Sequence, residues 1–311
     1  MKYRIFQKLI SDRVFKTILL AFIFMTPMGF MQSPVIEGIY PEEFWARKAN
    51  WYHCADIVLA GDSRVIDGLC PSEMQKYLKD YKILNYGLGW ACFSKKYLEK
   101  VESVLNPESN KRIIVTGISP LSLTKRESEP QNFIEVTSMS KSDQFFRIHF
   151  SKIMHFYEPL KLKHAIRNLR MTREEIENRI GFYPDGWIAG NKYSIPSNEV
   201  LKKYVSYYDK RNVDPCNIDN VMTFVEKWVK QGISVYGFFP PSSKEMYELE
   251  MERSGINEQE VINKFKQAGG TWIDVEPDGY VSYDCTHLQR DSALVFSKDI
   301  AETILENENK N

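Results

Sequence analysis

The sequence predicts an α/β protein: a three-layer α/β/α arrangement with a central parallel sheet and a helical insertion. Three observations lead there. Short apolar runs at Asp56–Ala60, Lys82–Tyr86, Arg112–Thr116, Ser234–Phe239 and Thr271–Val275 have strand character, and helix-like runs lie between them. Strands that alternate with helices pair in parallel and are covered on both faces. Between about residues 121 and 210 the alternation stops, and that stretch reads as a mostly helical insertion. Finally, Gly61-Asp62-Ser63-Arg64 stands just past the first strand run, and parallel sheets place their ligands outside the carboxyl ends of the strands.

The elements follow in chain order. Lys2, Arg4, Lys8, Arg13 and Lys16 precede Thr17–Ile36, a stretch without a charged residue and about the ~20 residues needed to span a bilayer. Pro27, Gln32 and Pro34 weaken its second half. Positive charge on the N-terminal side predicts a cytoplasmic N-terminus and an external C-terminal domain. Residues 1–36 therefore read as a cytoplasmic stub and signal-anchor helix, and 37–311 as the folded domain. A cleaved signal peptide and a buried helix are the alternatives, but residues 29 to 37 contain no clean small-x-small cleavage site.

Residues 38 to 54, rich in aromatics (Tyr40, Phe44, Trp45, Trp51, Tyr52), are expected to form a helix leading into the domain. The helical runs within the alternation are Pro71–Leu78, Ser94–Leu105, Ile218–Lys230, Asn257–Gln267 and Asp291–Leu305. Pro71 suits a first helical turn and Gly232 a helix end. The insertion carries many basic and aromatic residues, among them Phe145, Phe146, Arg147, His149, His155, Tyr157, Lys161, Lys163 and Arg167, and an irregular loop at Tyr183-Pro184-Asp185-Gly186-Trp187. It reads either as a lid over the sheet or as a solvated helical face. The polar tail Glu306–Asn311 is expected to fray.

Apolar residues make up 43% of the 311 residues and charged ones 26%, which fits a globular chain rather than a disordered one. Lysine plus arginine and aspartate plus glutamate number 41 each, so nothing in the charge balance points to nucleic acid. The five cysteines, Cys54, Cys70, Cys92, Cys216 and Cys285, have no Cys-x-x-Cys spacing and are expected to be buried single thiols rather than metal ligands. His53, His149, His155 and His164 share no ligand spacing either, and no cofactor is expected.

The chemistry-bearing pattern is Ser63 after the first strand together with Asp284-Cys285-Thr286-His287 near the far end. The turn lifts the serine hydroxyl off a strand end, a histidine removes its proton, and a carboxylate three positions earlier holds the imidazole in the productive tautomer. Chain order is Ser, Asp, His, without the Gly-x-Ser-x-Gly elbow. Asp62 is expected to stabilise the turn. Arg64 reads as a binder of an anionic group on a lipid or glycan, or as a salt-bridge partner.

With these residues in view, the chain resembles the SGNH (GDSL-like) hydrolases, most nearly the membrane-anchored branch associated with bacterial surface acylation, such as the D-alanyl transfer and alginate O-acetylation proteins. The resemblance rests on four blocks within residues 56–305: Gly61-Asp62-Ser63, Asn85-Tyr86-Gly87-Leu88-Gly89, Gly117-Ile118-Ser119 and Asp284-x-x-His287. It implies a flavodoxin-like sheet, with Ser63 as nucleophile, His287 as base and Asp284 as its orienter. The oxyanion would be held by the N–H groups of Ser63 and Gly89 and by Ser119, which stands where the family has an asparagine. Losing one such donor typically costs ~2.7–4 kcal/mol. Trp90 stands where the family often has glycine. The resemblance further implies an external, membrane-anchored esterase or O-acyltransferase acting on acyl groups of a cell-surface glycan or lipid-linked substrate, with a membrane-bound O-acyltransferase as partner. The alternatives are a free-standing carbohydrate or lipid esterase and a catalytically silent accessory protein.

Overall fold

The computed structural model describes residues 13–30, 37–89, 91–125, 131–158, 166, 170, 172, 180–195 and 197–310. In chain order, α1 (Arg13–Phe30) and α2 (Pro41–Asn50) lead into β1 (Ile57–Gly61), α3 (Ser63–Gly68), α4 (Pro71–Met74), β2 (Ile83–Asn85), α5 (Lys95–Val104) and β3 (Ile113–Gly117). A 3-10 turn (Leu121–Leu123), α6 (Gln131–Ser138), α7 (Lys141–Phe156), β4 (Gly181–Phe182), β5 (Ile188–Ala189) and α8 (Asn198–Tyr208) follow. The chain then completes α9 (Pro215–Lys230), β6 (Ser234–Phe238), α10 (Lys244–Arg253), α11 (Glu258–Gln267), β7 (Thr271–Trp272) and α12 (Arg290–Glu308).

The central sheet has five strands in the order β2-β1-β3-β6-β7, and every pairing in it is parallel. β1 and β3 are buried along their whole length, as strands covered on both faces are. Alternate residues serve the two faces. Ile57 and Leu59 join Met74, Phe238, Phe296 and Ile300 on one side, while Val58 and Ala60 join Leu98, Val225, Trp228 and Phe265 on the other. The layers are therefore α3, α4 and α12 against one face, and α5, α9 and α11 against the other. This is the predicted α/β/α sandwich.

Local signals explain where the covering helices start. Ser94, Asp214, Ser243 and Asn257 each accept a backbone N–H in the first turn of α5, α9, α10 and α11, which satisfies donors a helix end otherwise leaves open. Two helices outside the insertion have no counterpart in the sequence reading, α3 and α10, and neither do the strands β4 and β5 within it. α3 is only six residues long, and α10 carries charge on nearly every turn, so neither shows an apolar period. The predicted run Thr271–Val275 shortens to a two-residue strand.

The strand order reverses between β1 and β3, because the chain places β2 on one side of β1 and then returns to the other. Clefts at such reversals hold the ligands of open parallel sheets. The residues just beyond both strand ends are Asp62-Ser63 and Ile118-Ser119. Gly61, at φ 153°, is obligatory there: a Cβ would lie 2.4 Å from Val65 Cγ2 and 2.7 Å from the Gly117 carbonyl. Its absence lets Val65 tuck under the strand ends and lets α3 begin at once.

Within the insertion, the loop Tyr183–Trp187 is the turn of the β4–β5 hairpin. It packs inward. Gly186, at φ +94°, lies so close to Asn85 that a Cβ would stand 2.1 Å from its carbonyl oxygen, and Asn85 N–H donates to the Asp185 carbonyl at 2.8 Å. The remaining insertion residues Lys161, Lys163, His164 and Arg167 lie outside the described residues.

α1 rests against the end of α7, with Phe22 on Tyr157 at 5.2 Å and Phe30 on Phe156 at 5.3 Å between ring centroids. Residues 1–12 and 31–36 of the expected stub and anchor lie outside the described residues. Among the described residues no helix is long and apolar enough to cross a membrane. None of the five cysteines forms a disulfide with another. Cys70 and Cys285 are buried as expected, but Cys216 is exposed, because it sits on the outer side of the first turn of α9.

Candidate active site

Ser63 opens α3 and is the one residue of Gly61–Cys70 that is not buried. Asp62 makes the turn. One carboxylate oxygen accepts the Arg64 N–H at 2.9 Å, the other accepts the Ser119 hydroxyl, and the Asp62 carbonyl takes the N–H groups of Val65 and Ile66. Among the described residues no acceptor lies on the N–H of Ser63, as expected for the first residue of a helix.

The segment 281–289 folds back on itself opposite this turn. Tyr283 N–H donates to the His287 carbonyl at 2.8 Å and Gln289 N–H to the Val281 carbonyl at 2.9 Å. At the tip Cys285 takes φ 68°, a left-handed conformation that costs a non-glycine residue about 1 kcal/mol or more. This sharp turn aims the side chains of Asp284 and His287 at one another. Asp284 Oδ1 accepts the N–H groups of Thr286 at 3.0 Å and His287 at 2.7 Å. Its Oδ2 meets His287 Nδ1 at 2.8 Å, and His287 Nε2 meets Ser63 Oγ at 2.8 Å. The fold thus joins Ser63, His287 and Asp284 in one hydrogen-bonded chain.

Burial acts to raise the Asp284 carboxyl, but the bonds from the His287 ring and the two backbone N–H groups reverse it, and it titrates below the ordinary value. Burial acts to lower His287. The Asp284 bond and the charges of Asp67 and Asp284 outweigh that, and its imidazole titrates above its ordinary value. In its neutral form such an imidazole readily accepts a proton, and it is held with Nδ1–H toward the carboxylate and Nε2 toward the serine.

The second block runs beside the end of β1. Tyr86 N–H donates to the Leu59 carbonyl at 2.8 Å and Leu88 N–H to the Gly61 carbonyl at 3.0 Å, which carries Gly89 past the strand end. No heavy atom comes within 4 Å of a Cβ built on Gly89, so this position borders open space, and no acceptor among the described residues lies on its N–H. Trp90 lies outside the described residues. A buried lysine anchors this loop. Lys48 Nζ donates to the Gly87 carbonyl at 2.7 Å and the Gly186 carbonyl at 3.3 Å. Burial among aromatic rings, with Phe44 at 4.9 Å, holds its pKa well below the usual lysine range.

Two sequence expectations are corrected. Ser119 is fully buried and gives its one hydroxyl hydrogen to Asp62, while its oxygen accepts the Ser122 N–H at 3.1 Å. It braces the Asp62–Ser63 turn and has no donor left for any other acceptor. Ser119→Ala is therefore expected to leave the rate of Ser63 acylation within a few-fold. It should also lower stability by roughly 1.5–3 kcal/mol, the usual cost of a hydrogen bond to a charged group. Parallel melting and fluorophosphonate-labelling measurements check both. Arg64 is also buried. Its two terminal nitrogens clasp Glu250 at 2.9 and 2.7 Å, and Tyr208 donates to the same carboxylate at 2.8 Å. Held this way it cannot reach an anionic substrate.

Sequence reasoning missed Asp67, Tyr283, Lys48 and Glu250. A signal existed for Asp67, four residues after Ser63 and so on the same face once a helix starts at the serine. Lys48 and Glu250 lie in helices whose charge patterns look solvated, and nothing local marks them. Among the described residues no cluster of three His, Cys, Asp or Glu side chains is arranged to hold a metal ion.

No family model matches the chain, and no curated protein matches its sequence. The solved structure of Est24, a carbohydrate acetylesterase from Sinorhizobium meliloti, is similar over 80% of this chain and 98% of that one, at 10% identity and a TM-score of 0.35. At that identity and score the likeness bears on neither activity nor substrate.

Proposed function

We propose that the chain is a serine enzyme of the SGNH type that cleaves or transfers an ester-linked acyl group through an acyl-serine intermediate. The observation that carries this reading is the chain Ser63 Oγ, His287 Nε2, His287 Nδ1 and Asp284 Oδ2, with both links at 2.8 Å, at the sheet's switch point. Ser63 Oγ attacks the acyl carbon while its proton passes to His287 Nε2. The negative charge that appears on the acyl oxygen is met by the N–H groups of Ser63 and Gly89, donors fixed before the reaction begins. As the tetrahedral species collapses, the proton on His287 goes to the departing alcohol. Water or a sugar hydroxyl then enters, gives its proton to His287 and takes the acyl group.

The acyl substrate is a short acyl ester of a cell-surface glycan or its lipid-linked carrier, with the N-terminal helix anchoring the domain at the outer face of the membrane. A membrane-bound O-acyltransferase that delivers the acyl group is the partner of the transfer version. The basic residues ahead of Thr17 support the anchor and its orientation. So do the exposed apolar side chains of α1 and of the adjoining α7, among them Phe24, Phe145, Phe146 and Ile153.

The test treats the whole chain in detergent with a fluorophosphonate probe and locates the adduct by mass spectrometry. Labelling at Ser63 that vanishes in Ser63→Ala and His287→Ala is the expected result. A folded protein that takes no label would overturn the enzyme reading in favour of the silent accessory protein.

A further inference from the structure

A second buried carboxylate faces the histidine, and the catalytic chain does not use it. Asp67 is on α3, one turn after Ser63, and is 8% exposed. Its carboxylate accepts the Tyr283 hydroxyl at 3.3 Å. The Tyr283 ring lies on the His287 ring, 5.8 Å between centroids and 21° from parallel. Gly190 packs against that tyrosine so closely that a Cβ there would come within 2.8 Å of Cε1, so the backbone of the β4–β5 side backs one flank of the ring. The Trp187 indole N–H donates to the Asp67 carbonyl at 2.8 Å, tying the β4–β5 hairpin to the same point. Asp67 thereby connects the helix that carries the nucleophile to the loop that carries the base.

We propose that Asp67 is a positioning residue: acting through Tyr283 it holds the His287 ring in line with Ser63, and its charge favours the imidazolium formed when Ser63 gives up its proton. The inference rests on the serine-enzyme reading above. The hydroxyl–carboxylate contact is long, so its contribution is orientation, with the ring stack as the mechanical link.

The electrostatics agree. Burial pushes the Asp67 carboxyl up to about 6, against the opposing pull of His287 and of the Tyr283 bond. It is thus ionised in neutral solution at a cost, and the charge it keeps there acts on His287. The groups that act on it are Tyr283, Asp284 and His287 from the histidine loop, Asp62 from the turn before α3, and Lys48 from α2. Of these, only His287 gains a proton during the proposed acylation. A buried negative charge beside a base is worth most at that moment.

The test is the pH profile of fluorophosphonate labelling at Ser63 for the whole chain, its Asp67→Asn and Tyr283→Phe variants, and melting curves for all three. Asp67→Asn is expected to slow labelling about tenfold and to move the acid limb down by roughly one pH unit, since one unit is a tenfold change in proton affinity. Tyr283→Phe keeps the ring and loses the hydroxyl. That raises the Asp67 pKa, so less charge faces His287 near pH 6, and the limb is expected to move the same way by less. Slower labelling with an unmoved limb, or variants that label like the parent, would overturn the proposal. If Asp67→Asn does not fold, Tyr283→Phe decides by the same limb. Failure of the serine-enzyme reading shows separately, as parent protein that takes no label. The His287 ring titration followed by NMR then decides: a downward shift in Asp67→Asn sustains the effect of Asp67, and an unchanged titration removes it.

Discussion

Asp284→Asn is expected to slow acylation of Ser63 by about four orders of magnitude while leaving the fold in place. The reason lies in how the carboxylate divides its work. Oδ1 accepts the N–H groups of Thr286 and His287, and Oδ2 faces His287 Nδ1. An asparagine must keep its carbonyl oxygen on the two backbone donors, because its NH2 group cannot replace an acceptor there. That places the NH2 against Nδ1, which must then lose its hydrogen and accept. The ring's hydrogen moves to Nε2, and Nε2 can no longer take the serine proton. His287→Ala removes the base altogether and is expected to be at least as damaging. Labelling rates, with circular dichroism as the fold control, check both.

The same pair predicts opposite trends of activity and stability with pH. Activity needs neutral His287, whose pKa is raised, so the rate should climb with pH to a plateau above 6.5. The stability supplied by a raised histidine is complete below its unfolded pKa and is lost as pH rises through the folded value. That of the depressed Asp284 is present above its unfolded pKa and is lost as pH falls through the folded one. The pair therefore stabilises most between about pH 4 and 6.5, where catalysis is failing. Asp67 adds to this trend, because a carboxyl raised to about 6 contributes stability below its unfolded pKa and loses it by neutral pH.

Glu250→Ala is expected to give the largest loss of stability outside the apolar core. The Arg64–Glu250 side chains are 3% and 2% exposed. Removing one partner leaves an unpaired buried guanidinium, which costs roughly 3–5 kcal/mol. For a chain of this size that is a fall in melting temperature of roughly 10 °C. Tyr208 loses its acceptor at the same time. Replacing both partners by apolar residues of similar volume, Arg64→Met with Glu250→Leu, is expected to recover most of the loss, since well-packed apolar pairs often match buried ion pairs. The double variant should also keep labelling at Ser63. A substrate-binding role for Arg64 predicts the reverse: a raised KM with an unchanged melting temperature.

The alternation of β-branched runs with capped helices was enough to read the parallel sandwich, because burial on both faces leaves continuous apolar strands and one-sided helices. Ser63, Asp284 and His287 were legible for a related reason. A turn after a strand and a three-residue spacing are local geometries, and local geometry is written in adjacent residues. Which partner each buried polar group meets is not local. Ser119 meets Asp62 across 57 positions, Arg64 meets Glu250 across 186, and Asp67 meets Tyr283 across 216. Those pairings depend on which helix face turns toward which strand end, and only the packed structure decides that. Desolvation then makes such a meeting compulsory, since a polar group carried into the interior must find its partner there or cost the fold several kcal/mol. The sequence by itself determined the sandwich and the chain order of Ser63, Asp284 and His287; the tertiary structure decided which polar side chains face Ser63 and which are spent on holding it in place.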